Sequence, residues 1–367
     1  MSSFESALAV LSVDHSRVLI VDDSAVARAV MARMIDANDD FVVARTVANV
    51  RAALDFLAIE RVEFILLDIQ MPGIDGITAL PDIIAAGRGA RVLIVSSSAS
   101  DGAANTVQAL AMGAADTLVK PGVGGLSSRF GDALIDKLRR LAGTVPADAP
   151  VVAVAPMPAI APVVAPPPTK PRPTGDSYDI VAIGASTGGI HALSQMLRAI
   201  PTSFTLPILV TQHLPASFMP YFAAQLAVLA GRPAEVAADR LRIRPGRIIV
   251  APGDAHVRCV SLGDGSAAIR LTHEAVPSGC MPSVDPMLAS MAEIYGARML
   301  AVILSGMGRD GADGARLVHA AGGCVVVQDQ ASSVIWGMPG AVATAGNADA
   351  IMDPDAIGRM AASRRRP

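Results

Sequence analysis

Val18-Leu19-Ile20-Val21-Asp22-Asp23-Ser24 is an unbroken aliphatic run that stops on two carboxylates. Strands covered by helices on both faces read in this way, without the polar alternation of a half-exposed sheet. The pattern recurs outward along the chain. Phe64–Leu67 ends at Asp68, Val92–Val95 ends at Ser96, and Leu118–Val119 ends at Lys120-Pro121. Helical patterns such as Ala25–Ile35 and Thr106–Met112 lie between these runs, so the order is that of βαβ units and a parallel sheet. The second half repeats the style. Strands are expected at Ile180–Ile183, Ile208–Thr211, Arg247–Ala251, Met299–Leu304 and Cys324–Gln328, with helices such as Ile190–Ala199 and Gly311–Ala321 between several of them. No fixed-period repeat relates the halves.

The fold class is therefore α/β, with two doubly wound parallel-sheet domains joined by a linker. At roughly 150 residues per domain, 367 residues suit that division, and 52% hydrophobic residues supply two cores. Aromatics make up only 3%, so Ala, Val, Ile and Leu must fill the interior. Ten of the 26 prolines fall between Pro146 and Pro173, embedded in Ala and Val. Internal prolines remove donors and clash with the preceding turn, so this stretch reads as an extended, semi-rigid spacer. The domains are placed at 16–142 and 176–361, with the linker at 143–175.

Net charge is −3, and no long basic run precedes Arg364-Arg365-Arg366, which disfavours nucleic acid as a partner. Cys259, Cys280 and Cys324 contain no close pair that would make a zinc clip, and such sparse cysteine fits a reducing compartment. The N-terminus lacks a basic n-region and no apolar run reaches the roughly 18 residues of a membrane span. A cytoplasmic protein without direct membrane insertion is expected.

In a parallel sheet, Asp22-Asp23, Asp68, Ser96 and Lys120 all project from the carboxyl-terminal edge, where open α/β folds bind ligands. Three carboxylates at one spot repel each other unless a cation sits among them, and oxygen-only ligation points to Mg²⁺. A carboxylate there can also accept a phosphoryl group, with Lys120 neutralising its charge and Ser96 bonding an oxygen. Each residue also has an ordinary reading. Asp22, Asp23 or Ser24 can cap the following helix, Asp68 can be a loop residue, and Lys-Pro can be a turn. Their coincidence at four strand ends favours the site. Residues 16 to about 142 resemble the receiver domains of two-component response regulators. The resemblance implies that Asp68 takes phosphate from a histidine kinase. It also implies that Asp23 and Asp68 bind Mg²⁺, with Asp22 helping through water, and that Ser96 and Lys120 hold the switching positions.

Gly184-Ala185-Ser186-Thr187-Gly188-Gly189 joins an expected strand to an expected helix and contains Gly-x-Ser-x-Gly. Small neighbours permit a tight turn that exposes the hydroxyl beside helix N-terminal amides. Two other readings stay open: Ser186 or Thr187 caps the helix, or the turn holds a nucleotide phosphate. A serine nucleophile needs a base, itself oriented by a third group. His213 follows one strand within Gln212-His213-Leu214-Pro215, and Asp310 follows another within Gly306–Gly311. His256 is the competing histidine, whereas His191 and His319 lie inside helical patterns.

The order Ser, His, Asp differs from that of α/β-hydrolases. The combination resembles the chemotaxis response-regulator protein-glutamate methylesterases, through Gly184–Gly189, Gln212-His213, Ala251–Asp254, Pro282–Asp285, Gly306–Gly311 and Ala331–Pro339. This resemblance implies Ser186 as nucleophile, His213 as general base, Asp310 as its orienting group and the Met307 amide as an oxyanion donor. It implies phosphorylation-activated demethylation of glutamate methyl esters on chemoreceptors, with glutamine deamidation as a related activity. Mg²⁺ serves the receiver, and ester hydrolysis needs no cofactor. Two positions depart from the family's usual form. Met281 stands where Arg commonly precedes Pro-Ser-Val-Asp, and Gln330 stands where Glu is common. A phosphorylation-switched binding protein without esterase activity is the alternative. A broad small-ester hydrolase is a third reading, disfavoured by the receiver and the chain order.

Overall fold

The computed structural model describes residues 15–97, 100–120, 128–143 and 177–367. Apart from Gly143, the proline-rich linker lies outside the described residues, as does Pro121. Among the described residues, one compact unit comprises 15–97 with 118–120 and 128–142, and the other 100–117 with 143 and 177–367.

The first sheet is built from β1 (Ser16–Val21), β2 (Phe41–Val47), β3 (Phe64–Asp68), β4 (Arg91–Ser97) and β5 (Asp116–Lys120). Helices α1 (Ala25–Asp36), α2 (Val50–Ile59), α3 (Gly76–Gly87), α4 (Ser100–Met112) and α5 (Ser128–Ala142) alternate with the strands in the chain. The strand order is β2-β1-β3-β4-β5. Val18 to Val21 and every residue of β3 are buried, as the aliphatic runs require. Each of the apolar side chains among them contributes about 1.5–3 kcal/mol on leaving water. Strand β2 is less regular, and Arg45 and Thr46 on it are exposed.

The second sheet has seven strands in the order β14-β13-β12-β6-β7-β9-β8. They are β6 (Ile180–Ala185), β7 (Ile208–Gln212), β8 (Ala234–Val236), β9 (Ile248–Val250), β12 (Met299–Ile303), β13 (Cys324–Gln328) and β14 (Ala350–Met352). Every pairing among them is parallel. A separate antiparallel hairpin joins β10 (His256–Ser261) to β11 (Ala267–Thr272). The helices are α6 (Gly189–Arg198), α7 (Met219–Ala230), α8 (Val284–Tyr295), α9 (Ala312–Ala320), α10 (Gly337–Thr344) and α11 (Pro354–Ser363). The chain starts this sheet in the middle, at β6, and builds β7 to one side and β12 to the other. Crevices outside the carboxyl ends of strands at such a reversal are where open α/β sheets bind ligands. Ser186, His213 and Asp310 follow these three adjacent strands. Among the described residues, no helix is long and apolar enough to cross a membrane.

Candidate active site

Sheet register brings the expected nucleophile and the expected base together. Ala185 pairs with Gln212 across β6 and β7, so Ser186 and His213 leave their strands side by side. The His213 amide donates to the Ala185 carbonyl at 3.1 Å, and Gln212 Nε2 donates to the Ser186 carbonyl at 2.9 Å. Helix α6 is capped by Gly188 at φ +76° with no side-chain capping bond. The hydroxyls of Ser186 and Thr187 are therefore not used as caps, and that alternative is removed. Gly188 adopts the left-handed conformation that glycine tolerates best, and a Cβ there would meet Ser305 Oγ at 2.8 Å.

Asp310 is 2% exposed, and both its carboxylate oxygens accept hydrogen bonds. His213 Nε2 donates to Oδ2 at 2.8 Å, the Val284 amide donates to Oδ2 at 2.8 Å, and Ser283 Oγ donates to Oδ1 at 2.5 Å. Burial alone would raise the carboxyl pKa, but bonds from His213, Ser283 and Val284 bring it below the usual carboxylate range. His213 shows the reciprocal effect. Burial disfavours the charged ring, yet Asp310 and Cys280 outweigh it and lift the pKa to about 9. With Nε2 committed to Asp310, Nδ1 remains to carry a proton to and from a nucleophile.

The Gly306–Gly308 turn after β12 backs onto the serine, since a Cβ on Gly306 would stand 2.8 Å from Ser186 Cβ. The Gly306 amide donates to the Ile335 carbonyl at 3.0 Å, and the Met338 amide to the Gly306 carbonyl at 2.8 Å. Gln328 Oε1 accepts from the Ser305 amide at 2.7 Å. The Ala331–Pro339 segment thus fastens the turn that carries Met307 next to Ser186.

His256 is not at this centre. It is fully buried; its Nδ1 accepts from the Ser283 amide and its Nε2 donates to the Glu274 carbonyl, both at 2.9 Å. With both nitrogens engaged it holds the hairpin against the start of α8, and neither nitrogen is open to a nucleophile. The sequence reading assigned no role to Ser283 or Cys280. The Pro-Ser-Val-Asp motif was the available signal for Ser283; Cys280 carried none.

The first sheet gathers Asp22, Asp23 and Asp68, whose carboxylate oxygens lie within 4.8 Å of one another. Ser24 caps α1 by accepting from Ala27, so neither aspartate is spent on the cap. Lys120 Nζ lies 2.6 Å from Asp22 Oδ2 and 2.7 Å from Asp68 Oδ2. Lys120 thus bridges the two buried carboxylates, while Asp23 beside them is exposed. A cluster of three carboxylates, all oxygen donors, fits Mg²⁺. Burial, with a smaller push from Asp22, raises the Asp68 pKa despite Lys120, whereas the two carboxylates raise that of Lys120 against the effect of its own burial. Ser96 is buried at the end of β4, the strand beside β3.

Residues 181–361 match the CheB methylesterase family and residues 18–125 the response regulator receiver domain. A protein-glutamate methylesterase/protein-glutamine glutaminase 1 of Paramagnetospirillum magneticum is 39% identical over 358 residues, covering 92% of this chain and 93% of the relative. A protein-glutamate methylesterase/protein-glutamine glutaminase 2 of Caulobacter vibrioides is 39% identical over 355 residues, covering 95% and 99%. The crystal structure of the Thermotoga maritima CheB methylesterase catalytic domain aligns with TM-score 0.49 and 35% identity, over 51% of this chain and 98% of that one.

Proposed function

Because the chain belongs to the CheB methylesterase family and carries a receiver domain ahead of the esterase, we infer that it is a phosphorylation-activated protein-glutamate methylesterase. Its substrates are the γ-methyl esters of glutamates on methyl-accepting chemoreceptors, and it also deamidates receptor glutamines. It works in the cytoplasm, and a chemotaxis histidine kinase is its phosphodonor. Residues 16–142 serve as receiver, 143–175 as linker and 176–361 as esterase.

The observation that carries the reading is the Asp310–His213 pair at 2.8 Å beside a serine on the next strand. Ser186 Oγ attacks the ester carbonyl while His213 Nδ1 takes its proton, and Asp310 stabilises the imidazolium that forms. The Met307 amide donates to the oxygen on which negative charge develops. His213 returns the proton to the departing methoxide, releasing methanol and leaving a glutamyl ester on Ser186. Water, deprotonated by His213, then frees the glutamate and restores Ser186. With a glutamine the same sequence releases ammonia.

In the receiver, Asp68 takes the phosphoryl group, and Lys120 and Ser96 hold its oxygens. Asp22, Asp23 and Asp68 would hold Mg²⁺, which offsets phosphoryl charge when bound. The added charge of about −1.5 to −2 biases the receiver toward an activating state. Methanol release from methylated receptors, measured with and without a small-molecule phosphodonor, tests the assignment. Release that rises with phosphodonor supports it; binding to receptors without methanol release would favour a switched binding protein.

A further inference from the structure

Cys280 lies in the irregular segment between β11 and α8, partly exposed to solvent. Its Sγ falls within 4.8 Å of a His213 ring nitrogen and an Asp310 carboxylate oxygen. Ester hydrolysis by serine, histidine and aspartate has no use for a thiol at that place. A thiolate, an imidazole and a carboxylate converging from three chain segments form a mixed donor set that suits zinc and poorly suits magnesium. We propose that Cys280, His213 and Asp310 form a binding site for a thiophilic divalent cation of the zinc class, and that occupancy reversibly shuts off the esterase.

Zinc–sulfur bonds of about 2.3 Å and zinc–nitrogen or zinc–oxygen bonds of about 2.0–2.2 Å put tetrahedral donors roughly 3.3–3.7 Å apart. His213 and Asp310, at 2.8 Å, need only a slight separation to admit the ion. Cys280 has room to close the remainder. It stands outside helix and strand, where its sulfur makes a long 3.7 Å contact to the Ser278 carbonyl and interacts with His213. Three protein ligands leave the fourth position to water, as in open zinc sites.

The surroundings supply the supporting bonds such sites usually have. Ser283 Oγ and the Val284 amide donate to the Asp310 carboxylate and fix its direction. Binding displaces to solvent the thiol proton and, from a charged His213 ring, the proton that Nε2 donates to Asp310; in a neutral ring that proton moves to Nδ1, and either way the Nε2 lone pair is freed for the ion. The inhibitory consequence rests on the triad reading above, because zinc would occupy the base and its orienting group together. The binding itself does not depend on that reading.

The test uses the full chain, with Co²⁺ as a spectroscopic substitute for zinc. Stoichiometric Co²⁺ should produce a sulfur-to-cobalt charge-transfer band, displaced by Zn²⁺. Cys259 and Cys324 are buried at 5% and 1% exposure, so the band reports Cys280. Cobalt in the aspartate cluster of the receiver would give no sulfur band. Cys280→Ser and Cys280→Ala should both lose the band, with zinc affinity about tenfold lower or more. Zinc should inhibit methanol release by the parent, a chelator should restore it, and each variant should be resistant relative to its own metal-free rate. A wild-type protein with no sulfur band would overturn the site whatever its esterase activity. A band with undiminished methanol release at saturating zinc would overturn the inhibition alone.

Discussion

Replacing Ser283 by alanine isolates the support beneath the triad. Its hydroxyl donates to Asp310 Oδ1 at 2.5 Å and accepts from the Asp285 amide at 3.3 Å as the cap of α8. A hydrogen bond to a buried carboxylate contributes about 1.5–3 kcal/mol, and loss of an N-cap costs about 1 kcal/mol. Ser283→Ala should therefore lower unfolding free energy by about 2.5–4 kcal/mol if the two effects add. Asp310 keeps its bonds from His213 and Val284. If about 1.5–3 kcal/mol of its orientation is lost from the transition state, kcat falls about 10- to 150-fold, with KM little changed. Ser283→Thr retains the hydroxyl and should recover much of both losses. Removing a bond that depresses the Asp310 pKa should also move acid inactivation to higher pH. Urea melts and methanol-release kinetics measure these effects. A stable Ser283→Ala protein with wild-type kcat would refute the claim that Ser283 positions the aspartate.

Three further outcomes follow from the same geometry. His213 must be neutral to act as base, so kcat/KM should climb with pH up to about 9; a plateau already reached below pH 7 would contradict the Asp310 and Cys280 contribution. Because that folded-state pKa is raised, its stabilisation is fully present below the unfolded value of about 6.5 and is lost as pH rises through about 9. Asp68→Asn should abolish hydroxylamine-sensitive labelling by a phosphodonor, and full labelling would move the acceptor elsewhere. A fragment beginning near Asp176 should be faster than the unphosphorylated full chain and blind to phosphodonor; a folded fragment no faster than its parent would refute inhibition by the receiver.

Much of this architecture is written in short apolar runs. Val18–Val21 and Phe64–Leu67 are buried on both faces, so their strands carry no competing polar period. Strand β2 escaped that reading because exposed Arg45 and Thr46 break its run. Strands β8 and β14 span only three residues each, at the sheet's edges. The β10–β11 hairpin alternates buried Val257 and Cys259 with less buried Arg258 and Val260, a half-exposed signature unlike the central strands. His256 could not be set apart by spacing because its burial depends on that hairpin. Ser283 lies 27 residues from Asp310 in the chain, and only the packing of α8 beside the sheet reveals their bond. Cys280 was equally hidden, since its relation to His213 arises from a loop that no periodicity describes.

Methanol release by full-length Ser186→Ala on methylated receptors tests the central claim most directly. The change is small and sits at a turn, so cooperative unfolding should remain near that of the parent. Loss of a triad nucleophile should lower turnover by several powers of ten. Near-normal release from the folded variant would show that Ser186 is not the nucleophile.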